Sequence, residues 1–411
     1  MRILFLSDNF PPEVNAPASR TFEHCRRWAA AGHDVTVITS APNFPRGQVF
    51  AGYRNRLWQW ETMDGVRVLR VWTFIVPNEG FALRILDYVS YMLAAIIASP
   101  LAGPADVVIG TSPQFFPVCA AWVVSLFKGA PFVFELRDLW PESIRAVGAM
   151  KDGPVLRALE RLELFLYDRA AAIVSVTHSF KEILARRGVN PDKIFVVTNG
   201  VELSRFHPMP PDSALAASLG FEGKIVAGYI GTHGMAHALE TILDAAALMR
   251  ARPGGDDFRF LLLGDGANKP NLKRRALDQG LDNVRFVDTV PKEDVPRYWS
   301  ILNVALIHLR RTELFKTVIP SKLFESMGMG IPVLLGVEGE SAAIVEKEKV
   351  GAVFEPENAE ALVRELIRFR SDPETAARWR ERGPEAAKAY DRANLASSML
   401  DVLHKAVNSR K

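Results

Sequence analysis

Arg2-Ile-Leu-Phe-Leu-Ser7 opens the chain, a helical stretch runs from about Ala18 to Ala31, and Gly32-His33 leads into Val35-Thr-Val-Ile-Thr39. The first and last of these are short, almost wholly apolar runs and read as buried strands. Gly32 supplies the residue at which a helix readily ends in a left-handed turn. A strand, a helix and a second strand without polar alternation point to a parallel sheet covered on both faces.

The rhythm continues through Val66 to Trp72, Val107 to Gly110, Phe132 to Leu136, Ala172 to Val176 and Ile194 to Thr198. Helical segments near 82–101, 115–128, 154–169 and 178–187 separate most of these strands. Leu203 to Glu222, with Pro208, Pro210 and Pro211, interrupts the pattern and reads as a linker. It restarts at Ile225 to Ile230, then Phe258 to Leu263, Val284 to Val287, Val304 to Leu309, Pro332 to Leu335 and Ala352 to Phe354. The tail from about Glu357 to Val407 reads as helical.

The expected architecture is therefore α/β, with two facing Rossmann-like, doubly wound domains. Residues 1–205 form the first, 206–223 the linker and 224–390 the second, while 391–411 form a helix returning to the first domain. In such sheets ligands bind beyond the carboxyl ends of the strands, so function is expected in the loops that follow them.

Bulk properties narrow the class. The 411 residues exceed what one core usually supports. A net charge of +3 is small for that length and argues against a dedicated nucleic-acid binder. Cys25 and Cys119 have neither CxxC nor metal-ligand spacing and read as reduced thiols, which suits a cytoplasmic setting. The apolar run at Met1 to Phe10 is too short for a signal peptide. Tyr88 to Pro104 is uncharged but falls short of the roughly 20 residues of a bilayer span. It reads as a buried helix or as one touching the membrane surface.

The densest chemistry lies in Lys316-Thr-Val-Ile-Pro-Ser-Lys-Leu-Phe-Glu-Ser-Met-Gly-Met-Gly-Ile-Pro-Val333. Ser321 is expected to cap a helix, with Lys322 and Glu325 in its first turns. A helix start directs free amides and the positive end of its dipole at an anion, commonly phosphate. Lys316 and Lys322 add full charges there. Glu325 can accept hydrogen bonds from two neighbouring hydroxyls. A diphosphate joined to a ribose needs that combination, although a capped helix balanced by a glutamate would read the same way.

Pro320-Ser-Lys-Leu-Phe-Glu325, followed by Gly328 and Gly330-Ile-Pro332, resembles the donor-binding motif of family 4 retaining glycosyltransferases, which have the GT-B fold. The resemblance extends through Pro11-Pro12, Thr111-Ser-Pro113, Arg137-Asp-Leu-Trp-Pro-Glu-Ser143, Asn199-Gly-Val-Glu202, Gly231-Thr-His-Gly234 and Gly264-Asp-Gly266. In pattern it is closest to the amino-sugar (fucosamine-type) transferases of surface-polysaccharide assembly. It implies a nucleotide diphosphate sugar as donor, UDP-linked by family habit, and a saccharide or lipid-linked acceptor. Glu325 would meet the ribose.

Two departures stand out. Relatives carry a second glutamate eight positions earlier, where this chain has Thr317, and that bears on which sugar is held. Relatives also place an arginine and a lysine after the first strand of the second domain, where this chain reads Thr232-His-Gly-Met-Ala-His237. Lys316 and Lys322 are the expected substitutes on the diphosphate, with His233 beside them.

The resemblance puts Arg137 and Asp138, with Glu142, in an active-site loop, where Asp138 would hold a donor hydroxyl or orient the acceptor. A loop salt bridge of Asp138 with Arg137 or Arg145 is the plainer alternative. Arg20 sits where relatives have a glycine-rich turn meeting phosphate, but a solvated first-turn arginine fits equally. Gly231 and the turn Gly264, Asp265 and Gly266 would lie beside the nucleotide. Lys269 and Lys273 are candidates to approach phosphate but read more readily as part of the solvated basic face Lys269–Arg275, and Asn199 and Glu202 as structural.

No Asp-x-Asp triplet occurs, so no metal and no cofactor are expected and cations must stabilise the leaving diphosphate. Lys322, Arg137 and Asp138 carry the expected catalysis. Two alternatives stay open, a nucleotide-sugar epimerase of the same fold and a non-catalytic nucleotide-sugar binder.

Overall fold

The apolar runs of the first half become β1 (Arg2–Leu6), β2 (Asp34–Ser40), β4 (Val66–Val71), β5 (Val107–Thr111), β6 (Phe132–Leu136), β7 (Ala172–Ser175) and β8 (Ile194–Val196). With β3 (Trp58–Met63) they form one sheet of order β3-β4-β2-β1-β5-β6-β7-β8. The computed structural model describes residues 1–44, 46–76, 81–140 and 153–409.

Seven of these strands run parallel and β3 is antiparallel to β4. That edge hairpin departs from the sequence expectation of parallel strands alone. Its turn is Asp64-Gly65, with φ of 48° and 80°, the two left-handed residues of a tight hairpin turn. Trp58 and Trp60 are exposed, so β3 lacks the apolar continuity by which the other strands were read.

Along each central strand, alternate residues enter opposite cores. Leu4, Leu6, Val108, Phe132 and Phe134 pack against the helices Phe81–Ala98 and Phe115–Lys128. Ile3, Phe5, Val107, Ile109 and Val133 pack with Cys25 and Trp28 of the helix Ala16–Ala30, and with Met399 and Leu403 of the helix Arg392–Asn408. Trp28 Nε1 donates to the Ala396 carbonyl at 2.9 Å, which joins those two helices.

The second half folds into β9 (Ile225–Ile230), β10 (Phe258–Leu263), β11 (Val284–Val287), β12 (Val304–His308), β13 (Val333–Gly336) and β14 (Gly351–Val353). Their order is β11-β10-β9-β12-β13-β14, all parallel. Strand order reverses between β9 and β12, the position at which such sheets place a ligand.

The chain divides into two compact units, Met1–Thr198 with Arg392–Lys411, and Asn199–Asp391. Residues 199–223 were read as a domain end and a linker. They belong to the second unit, because Val201, Phe206 and Phe221 are buried in its core and outweigh the intervening prolines.

Among the described residues one stretch, Ile85–Ala102, is long and apolar enough to cross a membrane, with mean hydropathy 1.6. Tyr91, Ala95 and Ala98 face the core, whereas Leu86, Leu93, Ile97 and Leu101 are exposed along one side.

Candidate active site

In the second unit the loops after β9 and β10 meet backbone to backbone. Gly231 N donates to Leu263 O, His233 N to Asp265 O and Asn268 N to His233 O, at 2.9, 2.8 and 3.0 Å. Only glycine permits this approach. A Cβ at Gly264 would lie 1.9 Å from Gly231 O, and one at Gly266 would lie 2.6 Å from His233 O. Gly231, Gly264 and Gly266 also have φ of 146°, 140° and 158°, which side chains disfavour. Asp265 is exposed, and its carboxylate accepts from Gly266 N at 2.8 Å.

Lys322 opens the helix Lys322–Gly328. Its ammonium is shielded from solvent, has no hydrogen-bond acceptor among the described residues, and sits 3.6 Å from the centroid of the Tyr229 ring. A Cβ at Gly231 would come within 2.6 Å of that ammonium, so the glycine leaves room for the charge under the loop. Burial pushes the Lys322 amine down to about 7, and the Glu325 carboxylate opposes that shift. Glu325 is half-buried in the same helix.

Two imidazoles line the same place. His233 is fully buried with neither ring nitrogen bonded. Burial, then Lys269 and Lys322, lowers it to about 4. Burial and Lys322 lower His237 to about 3. Both are neutral near pH 7. His308, at the end of β12, donates from Nδ1 to His237 O at 2.8 Å and accepts at Nε2 from Glu357 N at 2.9 Å. It joins the loops after β9 and β14 and is spent on that role.

Other residues singled out from sequence are committed elsewhere. Ser321 precedes the helix, but its own φ and ψ of −58° and −29° are helical and its hydroxyl caps no amide. The expected side-chain cap is absent. Lys316 Nζ bonds Glu313 at 2.6 Å and lies 3.6 Å from Glu338, so its charge is balanced by carboxylates. Thr317 Oγ1 donates to Leu314 O at 2.6 Å within its own turn.

Lys269 is not on a solvated face. It is buried and donates to Gly264 O, Val287 O and Asp288, fastening the ends of β10 and β11.

In the first unit Arg20 is neither solvated nor open to a phosphate. It is buried, donating to Glu135 at 2.9 Å and to the carbonyls of Val197 and Thr198 at 2.9 and 2.6 Å. The partners lie more than a hundred residues away in sequence, beyond the reach of local reading. Arg137 and Asp138 follow β6, and both backbone amides donate to Ser112 Oγ, at 2.8 and 3.3 Å. Nε and Nη1 of Arg137 are buried and without an acceptor among the described residues. Glu142 and Arg145 lie outside the described residues.

Sequence reasoning passed over Tyr229, which looks like any residue of a buried strand, and placed Lys269 with its exposed neighbours, although it is buried. Among the described residues no three His, Cys, Asp or Glu side chains converge as a metal site would require.

The family model for the glycosyl transferase 4-like domain matches residues 15–200, and that for glycosyl transferases group 1 matches residues 213–386. WcaI of Escherichia coli, named as a colanic acid biosynthesis glycosyl transferase, is 26% identical over 380 residues, covering 88% of this chain and 90% of its own. Sucrose-phosphate synthase of Thermosynechococcus elongatus superposes with a TM-score of 0.78 at 18% identity, over all of both chains. HepE of Anabaena, solved with UDP-glucose, gives 0.71 at 15% identity over 98% of this chain and 99% of its own. These likenesses establish the GT-B fold.

Proposed function

Because the chain belongs to the glycosyltransferases, a 4-like domain followed by a group 1 domain, we propose that it transfers a hexose from a nucleoside diphosphate to an acceptor of surface-polysaccharide assembly, with retention at the anomeric carbon. One observation carries the donor site: the buried, unpartnered Lys322 ammonium, beneath a glycine loop at the reversal of strand order. A buried cation without an acceptor is costly unless a ligand supplies one. A diphosphate does so.

In this reading Lys322 and the amides of the helix it opens neutralise the charge that builds on the leaving diphosphate. Glu325 accepts from the ribose hydroxyls. Gly231, Gly264 and Gly266 admit the phosphates close to the backbone, and His233, neutral and with both ring nitrogens unbonded, is available to donate to an oxygen. Asp138 orients the acceptor hydroxyl. Lys316 assists only by exchanging Glu313 or Glu338 for phosphate. No metal is required, since the cation is built in.

Uridine as the base is supported by the HepE complex, a relative in fold alone. An amino sugar as the transferred group rests on the resemblance in overall pattern to the fucosamine-type transferases, with Thr317 where relatives place the glutamate that meets the donor sugar. The surface-polysaccharide setting is supported by the similarity to WcaI. Both cysteines are unpaired and buried, which suits action on the cytoplasmic side of the membrane. The exposed row Leu86, Leu93, Ile97 and Leu101 supports peripheral contact with that membrane, where a lipid-linked acceptor would be presented.

Incubation with a panel of UDP- and GDP-sugars tests the proposal. Slow release of free sugar with nucleoside diphosphate is the expected result. Conversion of one nucleotide sugar into another would make the protein an epimerase, and binding without turnover would make it a binder.

A further inference from the structure

Arg20, His24 and Arg27 recur at i, i+4 and i+7 along the helix Ala16–Ala30 and therefore share a face. Arg20 is fully engaged, but its neighbours are not. Arg27 Nε, His24 Nε2 and Thr21 Oγ1 are all buried without a hydrogen-bond partner, as are Nε and Nη1 of Arg137 at the end of β6. His24 Nδ1 faces Met399 S at 3.2 Å, so its second nitrogen is the orphan. Against these donors stands one unfilled acceptor, Glu135 Oε2.

Arg20 Nε donates to Glu135 of β6 at 2.9 Å, and Arg137 lies two residues beyond Glu135, so the cations of the helix and Arg137 come together. Burial drives His24 well below the usual histidine range, and Arg20, Arg392, Arg137 and Arg27 each push it further. Arg20, Arg392, Arg137 and Arg27 thus all bear on a single imidazole, and Glu135 meets Arg20 at 2.9 Å while Arg27 Nε and Arg137 Nε and Nη1 keep no acceptor among the described residues. Leaving a buried charged donor unmade is the expensive part of hydrogen bonding. A guanidinium fork matches the two oxygens of a carboxylate or phosphate. Arg137 also stands at the carboxyl end of a parallel strand, where ligands of such sheets sit.

We infer that the first unit binds an oxyanion, phosphate or carboxylate, through Arg137 and Arg27 with Thr21 beside them, and that the acceptor sugar carries that group. The assignment to the acceptor rests on the proposed transfer reaction. The anion site itself does not. An anionic acceptor supplies oxygens to Arg27 Nε and to Nε and Nη1 of Arg137, and a neutral sugar leaves those atoms unmet.

Titration calorimetry on the full chain, with glucose 1-phosphate, glucuronate and glucose as probes, tests the site. At least one anion is expected to bind with the same affinity to wild type and to Lys322→Met, which separates the cluster from the donor site. Binding should weaken at least about tenfold in Arg137→Gln and in Arg27→Gln, and glucose should not bind. Glucose 1-phosphate alone would mark a phosphate site, and glucuronate alone a carboxylate site.

Two results would overturn the inference: neither anion binding at millimolar concentration, or both arginine variants binding as wild type does. Should Arg137→Gln fail to fold by circular dichroism, Arg27→Gln, at a half-buried position of the helix Ala16–Ala30, carries the test. UDP binding in the same samples reads the donor site separately, so loss of one reading leaves the other intact.

Discussion

The Lys322 ammonium stands 3.6 Å over the Tyr229 ring and touches no other acceptor among the described residues. The ring face offers a weak, non-saturating attraction, on the order of 1–2 kcal/mol when desolvated. It holds the charge in place and leaves its hydrogen bonds unmade. Replacing this lysine by methionine should weaken UDP affinity by about 1.5–3 kcal/mol, the worth of a charged hydrogen bond, without lowering the melting temperature of the free protein. Calorimetry and thermal denaturation on one sample check both. A large loss of stability with unchanged affinity would mean that Lys322 serves the fold.

The same lysine sets a pH dependence. Its folded value is about 7 because of burial, against about 10.4 in an unfolded chain. Between those values the unfolded chain holds a proton that the folded chain has released, so stability rises with pH across that window. Donor binding runs the other way, because the diphosphate selects the charged amine. UDP affinity should fall as pH climbs above about 7, by at most about tenfold per unit. Binding measured from about pH 6 to about pH 9 should show that slope, and Lys322→Met should flatten it. A flat wild-type profile would remove the lysine from the phosphate site.

Glu325, in the same short helix, is expected to read the ribose. Glu325→Gln should cost about 1.5–3 kcal/mol of UDP affinity. Removing the ribose hydroxyls from the ligand should cost wild type the same, and the variant little. A double cycle of protein and ligand measures that coupling. Additive losses would place Glu325 away from the sugar ring of the nucleoside.

Gly264→Ala should destabilise by at least about 1–3 kcal/mol, since its methyl would drive into the Gly231 carbonyl. For a domain of this size that lowers the melting temperature by roughly 2–4 °C per kcal/mol. Gly188→Ala is the control: φ there is also left-handed, at 87°, yet a Cβ meets nothing within 4 Å. Equal losses at the two sites would show that backbone strain, not the approach of the two loops, fixes Gly264.

Leu93 and Ile97 are 51% and 76% exposed on the apolar helix. Sedimentation with vesicles of anionic and of neutral lipid should carry the wild-type chain down with at least one composition. Leu93→Glu with Ile97→Glu should abolish that while leaving UDP binding as it was. Wild-type protein that stays in the supernatant with both would remove membrane contact from the proposal.

Much of the architecture was legible before any coordinates. Strands such as Val107–Thr111 and Phe132–Leu136 are buried at every position, and a strand covered on both faces reads as a near-continuous apolar run, which Glu135 interrupts only by pairing with Arg20. The edge strand Trp58–Met63 escaped notice because it alternates and lies open, although the Asp64-Gly65 turn beside it was readable. The Pro208–Pro211 stretch misled because prolines interrupt a pattern without revealing which core claims Phe206 and Phe221.

Within the candidate site, residue types were legible and their employment was not. Arg20, Lys269, Lys316 and Lys322 are equally cationic in the sequence. Folding gives Arg20 to Glu135, Lys269 to Asp288 and two carbonyls, and Lys316 to Glu313 and Glu338, and leaves only Lys322 among these four buried without a partner. Periodicity and glycine placement are local properties, so one chain of letters suffices to specify two α/β units and the loops at their strand ends. Whether a charge is balanced depends on carboxylates and carbonyls brought from tens to hundreds of residues away, and only the packed tertiary structure decides that.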